Sequence, residues 1–233
     1  MKMKTNLKSI CAITRINFYK TTWIAYLVAL LSFASSIIQI FIMYLLNTPG
    51  SSQVSEGNEL ILVIILAAIL IPSVNFSRLM HLNGKKADFF WACAINYVIF
   101  SAALSLIILV LNLTIDRMMS PAVELLDIID IFGWTGGGII FAFFRQFAFY
   151  LLLGVALHTL TAIQTFWWGW VVDLIIAAII SVFIPIPMLR KLLIDFFYLI
   201  IFNPNPIAHI GACLSLAAGI YALNIPILSR KKI

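Results

Sequence analysis

The stretch NFSRLMHLNGKKADFFWAC, residues 75–93, lies between two long apolar runs and determines how the chain folds back on itself. It carries three basic residues, a histidine and an acid, whereas the runs at 60–77 and 91–115 are almost free of charge. A helix needs about 20 apolar residues to cross a bilayer, and each run is close to that length or longer. The sequence therefore predicts two membrane helices joined by a short, mostly basic loop.

The composition of the whole chain agrees with a membrane protein. Of its 233 residues, 63% are hydrophobic and only 10% are charged, and the mean hydropathy is +1.09. Soluble domains contain about 25% charged residues, so a soluble globular fold is excluded. The net charge of +6 does not indicate nucleic acid binding, because the basic residues flank the apolar runs. Three cysteines at unrelated spacings predict neither a disulfide framework nor a metal site.

The fold class predicted is all-α, a polytopic membrane protein with six transmembrane helices in one domain that covers residues 1–233. The six apolar runs fall at 24–46, 60–77, 91–115, 135–160, 166–185 and 207–228. The first run begins too late and is too long for a cleavable signal peptide. The apolar segment inside 186–206 is too short to span and is bounded by prolines, so we expect it to dip into the outer leaflet and return.

Lysine and arginine predict the orientation. With an even number of spans, eleven of the fifteen basic residues fall on the side of both termini and the 75–93 loop. Positive residues favour the cytoplasmic side, so both termini are predicted to be cytoplasmic in the cell membrane. Residues 1–23 are predicted to form a cytoplasmic interface helix with Leu7, Ile10 and Phe18 on an apolar face and Lys8 and Arg15 on a basic face.

Two interpretations of the 78–90 loop remain open on the residues alone. Its lysines could only fix the orientation, or the loop could be a surface on which a cytoplasmic protein docks. A nucleotide-binding P-loop is excluded, since Leu79 replaces the required glycine and Lys86 the required serine or threonine. The candidate docking residues are Arg78, His81, Lys85, Lys86, Asp88, Phe89 and Phe90.

Two ionisable residues lie inside predicted spans. Arg145 and Asp173 are expected at depths that differ by about 5–8 Å, so an ion pair between adjacent helices is possible. Such a pair would either fix helix packing or lie on a substrate path.

The basic N-terminal helix, the six spans, the loop between the second and third spans and the segment 186–206 together resemble the permease subunits of ABC-2-type exporters. The short chain is most similar to small Gram-positive permeases that export, or give immunity to, amphipathic and antimicrobial peptides. Many members carry an acid and then Gly-Thr in the coupling loop, whereas this chain has MHLNGKK, with Lys85 in the threonine position. The resemblance implies a cytoplasmic ABC ATPase docked on residues 78–90, a second identical or different permease subunit, and an amphipathic peptide as substrate. ATP and magnesium would be bound by the ATPase, and no cofactor by this chain.

Two other classes of function stay open. The chain could be a secondary transporter or channel without an ATPase, because a buried charge pair would suit either. An intramembrane enzyme is the other alternative, although His81, His158 and His209 are scattered and no HExxH or GxSxG motif is present. No catalytic residue is therefore predicted.

Overall fold

The computed structural model describes residues 5–46, 52–116 and 124–231, and these are helical apart from one short pair of strands. Residues 1–4 of the predicted interface helix lie outside the described residues. The α-helices run in the following order: α1 Leu7–Ile16, α2 Trp23–Leu46, α3 Glu56–Glu59, α4 Ile61–Leu70, α5 Phe76–His81, α6 Lys86–Leu111, α7 Ile128–Ile131, α8 Ile139–Ile163, α9 Trp167–Phe183, α10 Pro187–Phe197, α11 Pro206–Ala222 and α12 Asn224–Arg230.

The chain is a helical membrane protein with four to six candidate spans. The four continuous stretches that are long and apolar enough to cross a bilayer are Gly57–His81, Lys86–Thr114, Ile139–Ile163 and Pro206–Arg230. Two bent helix pairs add up to two more if each pair is one span. The first pair, Leu7–Thr21 with Trp23–Gln39, bends by 43°, and the second, Trp167–Phe183 with Pro187–Phe202, bends by 117°. The segment predicted to dip into the membrane is thus a helix that turns sharply away from α9.

A proline shapes the second span. The five residues Ile71–Asn75, with Pro72 near their start, form a π-helical turn between α4 and α5. Proline lacks the backbone N–H of a regular helical turn and its ring crowds the preceding turn, so the helix widens here rather than ending. Pro72 O is left to accept a hydrogen bond from the side chain of Lys231 at 3.3 Å.

Contacts between loops assign the two ends of the bundle. Ser52–Val54 and Glu124–Leu126 pair as parallel strands, so the segments that follow α2 and α6 lie at the same end. At the other end, Asn6 N donates to Asp88 Oδ1 at 3.0 Å and Lys86 Nζ donates to Ser229 O at 3.1 Å. Both ends of the described chain and the turn between α5 and α6 therefore share one end, as an even number of spans requires. The strands themselves were not predicted from the sequence.

The centre of the bundle is α8, which packs against α4, α6 and α11. A Cβ atom on Gly154 would lie 3.0 Å from Ile64 and 3.4 Å from Tyr97, so glycine permits this close approach. Helix α9 is peripheral, because Gly169 is the only buried residue in Trp167–Phe183. The core therefore lies among α4, α6, α8 and α11, and α9 contributes little to it.

Candidate functional site

The turn between α5 and α6 has a fixed backbone geometry. After α5 ends, Asn83 N donates to Met80 O at 3.1 Å and Gly84 N donates to Leu79 O at 2.9 Å. Asn83 adopts a left-handed conformation with φ of 56°, and this pair of bonds is a Schellman motif. A Cβ atom on Gly84 would lie 2.6 Å from Leu79 O, so the position requires glycine. Gly84 is thus needed for close packing, whereas Asn83 makes the turn.

The tip of this turn exposes one apolar side chain among cations. Leu82 is 73% exposed, and Arg78, His81 and Lys85 are exposed beside it. Arg78, His81 and Lys85 belong to the docking residues predicted from the sequence, whereas Leu82 does not. A leucine within a short polar segment is visible in the sequence, and it could have indicated an exposed contact residue at this position. We call Arg78, His81, Leu82 and Lys85 the basic tip.

Three of the predicted docking residues do not lie on the surface. Phe89 is fully buried with its ring 5.4 Å from that of Phe76, and the Phe90 ring lies 4.6 Å from that of Tyr221. Asp88 is buried as well and accepts the hydrogen bond from Asn6 N. The prediction of an exposed aromatic anchor is therefore wrong.

The start of α6 explains this burial. The helix begins at Lys86, so Phe89 already lies on a helical face that continues with the buried residues Cys93, Tyr97 and Phe100. Residues spaced three or four apart share one face of a helix. This spacing is readable in the sequence and would have placed Phe89 in the core.

Lys86 joins the turn to the C-terminal helix. Its Nζ donates to Ser229 O at 3.1 Å and to Lys231 O at 2.8 Å, carbonyls at the end of α12. The last carbonyls of a helix have no partner within the helix and carry partial negative charge, so a lysine stabilises them. Lys231 is 6% exposed, and its Nζ lies 4.5 Å from the centre of the Phe76 ring. Burial lowers the pKa of the Lys231 amine from its ordinary value.

The N-terminal helix packs on the bundle through a face that differs from the predicted one. Ile10 and Ile13 are buried against the bundle core, whereas Leu7 is 73% exposed. Lys8 and Arg15 are exposed as predicted. The predicted apolar face is therefore only partly correct. The buried residues of α1 are the ones that pack against α6, and not the ones that would face a lipid surface.

Phe18 and three asparagines fix the N-terminal segment. The Phe18 ring stacks on that of Phe100 at 4.5 Å. Asn17 Nδ2 donates to Asn96 Oδ1 at 2.8 Å, and Asn75 Nδ2 donates to Asn17 Oδ1. All three asparagines are fully buried and connect the first three spans. An asparagine inside an apolar run is costly in lipid unless its side chain is paired. Asn75 and Asn96 lie inside predicted spans, so a polar contact between helices could have been predicted for them.

Arg145 and Asp173 do not form the ion pair that their expected depths made possible. Arg145 is buried, and its Nη1 and Nη2 donate to Gly133 O at 3.4 Å and to Asn203 O. Asp173 is exposed and accepts from Gln164 Nε2 at 2.7 Å. The pair does not form because α9 lies at the periphery, where the Asp173 carboxylate binds Gln164 and the guanidinium binds backbone carbonyls instead.

Arg145, Trp134 and His209 all donate hydrogen bonds to carbonyls at the end of one helical segment. The π-helical turn Tyr198–Phe202 ends the chain's sharp return after α9, and its last carbonyls have no helical partners. Trp134 Nε1 donates to Ile201 O at 2.8 Å and His209 Nε2 to Ile200 O at 2.7 Å, beside the bond from Arg145 to Asn203 O. Arg145 therefore caps a helix end inside the protein.

The three histidines lie apart. His81 is exposed on the basic tip, His209 binds Ile200 O, and the buried His158 Nδ1 lies 2.7 Å from Tyr97 OH. Among the described residues, no group of three His, Cys, Asp or Glu side chains could hold a metal ion.

Comparisons of the chain with protein-family models, with curated proteins and with solved structures returned no match. The function is therefore inferred from the chain's own residues, above all from the basic tip and the contacts that hold it.

Proposed function

We propose that this chain is the permease subunit of an ABC transporter that exports amphipathic peptides, driven by a separate cytoplasmic ATPase seated on the basic tip. The observation that carries the proposal is Leu82, which is 73% exposed on a turn of fixed geometry and flanked by exposed cations. An apolar residue within a polar rim is the arrangement found in protein–protein interfaces, whose buried core is apolar and whose rim is polar.

The tip is also placed to transmit a force. It joins α5 directly to α6, and Lys86 links its base to the end of α12. Movement of a docked protein would therefore displace the second, third and last spans together, as rigid-body switching requires. This supports a coupling role better than a role in fixing the membrane orientation alone. Orientation requires positive charge in the loop but no turn of fixed geometry.

The N-terminal helix suits the inner membrane surface beside such a partner. Lys8 and Arg15 are exposed while Ile10 and Ile13 hold the helix on the bundle. Each basic residue near an anionic lipid surface contributes about 1 kcal/mol of binding free energy. We assign Lys8 and Arg15 to contact with lipid headgroups, and the end with both termini to the cytoplasm.

The substrate and the second permease subunit are proposed on the resemblance to ABC-2-type exporters. Arg145 is engaged with backbone carbonyls, which favours a role in helix packing over a place on the peptide path. The exposed apolar surface of α9 offers area to lipid or to a second permease subunit.

A secondary transporter without an ATPase is the second candidate. Its support is His158, an ionisable side chain hydrogen-bonded to Tyr97 inside the bundle, because such residues mark proton pathways in transporters. Retention of an ATPase separates the two candidates, since a secondary transporter retains none.

Co-purification tests the proposal with an exposed side chain. Phe89 and Phe90 are unsuitable for such a test because they are buried and alanine there would disturb the core. We expect Leu82→Ala combined with Lys85→Glu to reduce the co-purified ATPase at least tenfold and to stop peptide export. Leu7→Ala is the matched control, because Leu7 is equally exposed and lies at the same end. Unchanged ATPase retention and export in the Leu82→Ala, Lys85→Glu protein would contradict docking on the tip.

A further inference from the structure

A groove of about 740 Å³ opens between α9 and the pair formed by α8 and the α11–α12 helix. Its walls are apolar except for Thr159 and Arg230. The Thr159 hydroxyl is already bonded to Val155 O and to Asn224 Nδ2. Arg230 is therefore the charged group of the groove that is left for a ligand. The volume falls within the range of about 300–1,000 Å³ that is usual for ligand sites.

The groove extends through one leaflet. Helix α8 ends at Ile163, α9 begins at Trp167 and α12 ends at Arg230, so the groove opens at the end of the bundle where both ends of the described chain lie. Along the last helix its lining runs from Arg230 to Ile220, a helical rise of about 15 Å. That is half of a hydrocarbon core about 30 Å thick. The groove thus has the depth of an acyl chain in a single leaflet.

The mouth lies at headgroup level. Trp167, Trp168 and Trp170 are all more than half exposed at the start of α9, and Trp168 lines the groove. Exposed tryptophans mark the boundary between hydrocarbon and headgroups. Arg230 lines the groove together with Trp168, and its guanidinium forms no hydrogen bond or ion pair with the residues that the structure describes. A guanidinium in this position can bind a phosphate through two parallel hydrogen bonds.

We propose that this groove binds one anionic phospholipid from the leaflet at the end of the bundle where both ends of the described chain lie. One acyl chain lies against Ala156, Ile176 and Ile220, and the phosphate is bound by Arg230. Charge complementarity selects this occupant, because an apolar helix from a second copy would cover the guanidinium without supplying a counter-charge. The site depends only on the membrane fold and is independent of the ATPase.

Native mass spectrometry of the full-length chain, delipidated in detergent, tests the site. Phosphatidylglycerol is titrated against phosphatidylcholine with the same acyl chains. We expect one phosphatidylglycerol to bind at least tenfold more tightly than phosphatidylcholine. Arg230→Gln should lower the phosphatidylglycerol affinity about tenfold, the equivalent of about 1.4 kcal/mol. Arg78→Gln, an exposed arginine at the same end that does not line the groove, should leave it unchanged.

A second variant tests the apolar part of the groove. Ala156→Phe fills the groove and should weaken both lipids, and Val172→Phe does so from the opposite wall if the first variant does not fold. Equal affinity of the wild type for the two lipids would overturn the proposal, and so would an equal loss in Arg78→Gln. If Ala156→Phe turns a dimer into a monomer with lipid binding unchanged, the groove holds a second copy and not a lipid.

Discussion

Lys86 and Lys231 stabilise this fold without acidic partners. Lys86 binds two carbonyls at the end of α12, and Lys231 binds Pro72 O and lies over the Phe76 ring. Both use acceptors that a helix end or a π-helical turn leaves without partners. The basic residues at this end of the bundle therefore have two roles. Some are exposed on the basic tip, and these two connect the C-terminal helix to the second and third spans.

Lys86→Met should loosen the C-terminal helix. It removes charge-assisted hydrogen bonds to Ser229 O and Lys231 O, and a partly exposed bond of this kind contributes about 1 kcal/mol. We expect hydrogen exchange of the amides in residues 227–231 to become about fivefold faster. Lys85→Met is the control, because Lys85 is exposed and makes no such contact, and its exchange rates should match the wild type. Equal acceleration in both variants would show that the Lys86 contact is not what holds the helix.

Gly84→Ala should destabilise the turn. The new Cβ would lie 2.6 Å from Leu79 O, so the Schellman motif must shift at a cost of about 1–3 kcal/mol. Thermal unfolding in detergent should show a lower midpoint for this variant than for Gly136→Ala. At Gly136 a Cβ would meet nothing within 4 Å, which makes it a matched control. Identical midpoints would mean that the turn adapts, and a rigid basic tip would then be ruled out.

Among the helices, the positions where a helix ends inside the protein determine where side-chain hydrogen-bond donors are needed. Arg145, Trp134 and His209 each donate to a carbonyl at the end of Tyr198–Phe202 or just beyond it. Unpaired carbonyls away from water are costly, so these donors permit a helix to end inside the protein. The sharp return after α9 is therefore held by side chains from α8, α11 and the turn that precedes α8.

A double-mutant cycle tests this role for Arg145. Arg145→Gln should lower stability because it leaves helix-end carbonyls without their charged donor, whereas Asp173→Asn should be nearly neutral. Since the two side chains share no partner, their effects should add within about 0.5 kcal/mol. The midpoints of thermal unfolding of the two single variants and the double variant supply the comparison. A coupling free energy well above that limit would restore the ion pair that the sequence suggested.

Element positions were largely predictable, because apolar length is what a bilayer demands. The run 24–46 corresponds to α2 at Trp23–Leu46, and the run 166–185 to α9 at Trp167–Phe183. Hydropathy does not show where a helix starts within polar sequence. The apolar run was predicted to begin at Trp91, whereas α6 begins at Lys86. Phe89 is buried for that reason. The partners of Arg145 could not be predicted from the sequence either, because they are backbone carbonyls that are free only where another helix ends.

On the scale of the whole molecule, the two ends of the bundle differ in chemistry. One end carries α1, the basic tip, the end of α12 and the three tryptophans of α9, joined by contacts from Asn6 and Lys86. The opposite end carries the paired strands and the capped return after α9. The even number of predicted spans anticipated that both ends of the described chain and the basic tip share one end, whereas the cytoplasmic position of that end is still a prediction from the basic residues. A partner that drives transport would meet the first end.

Cysteine labelling of intact cells tests whether the basic tip and both ends of the described chain face the cytoplasm. Single cysteines replace Leu82, Ser229 and Thr135, all exposed positions, in a background in which the exposed Cys11 is serine. With a membrane-impermeant maleimide, we expect Thr135→Cys to react in intact cells. Leu82→Cys and Ser229→Cys should react only after the membrane is opened. Reaction of Leu82→Cys at the same rate in intact and opened cells would place the tip outside, beyond the reach of any cytoplasmic ATPase, and would contradict the account.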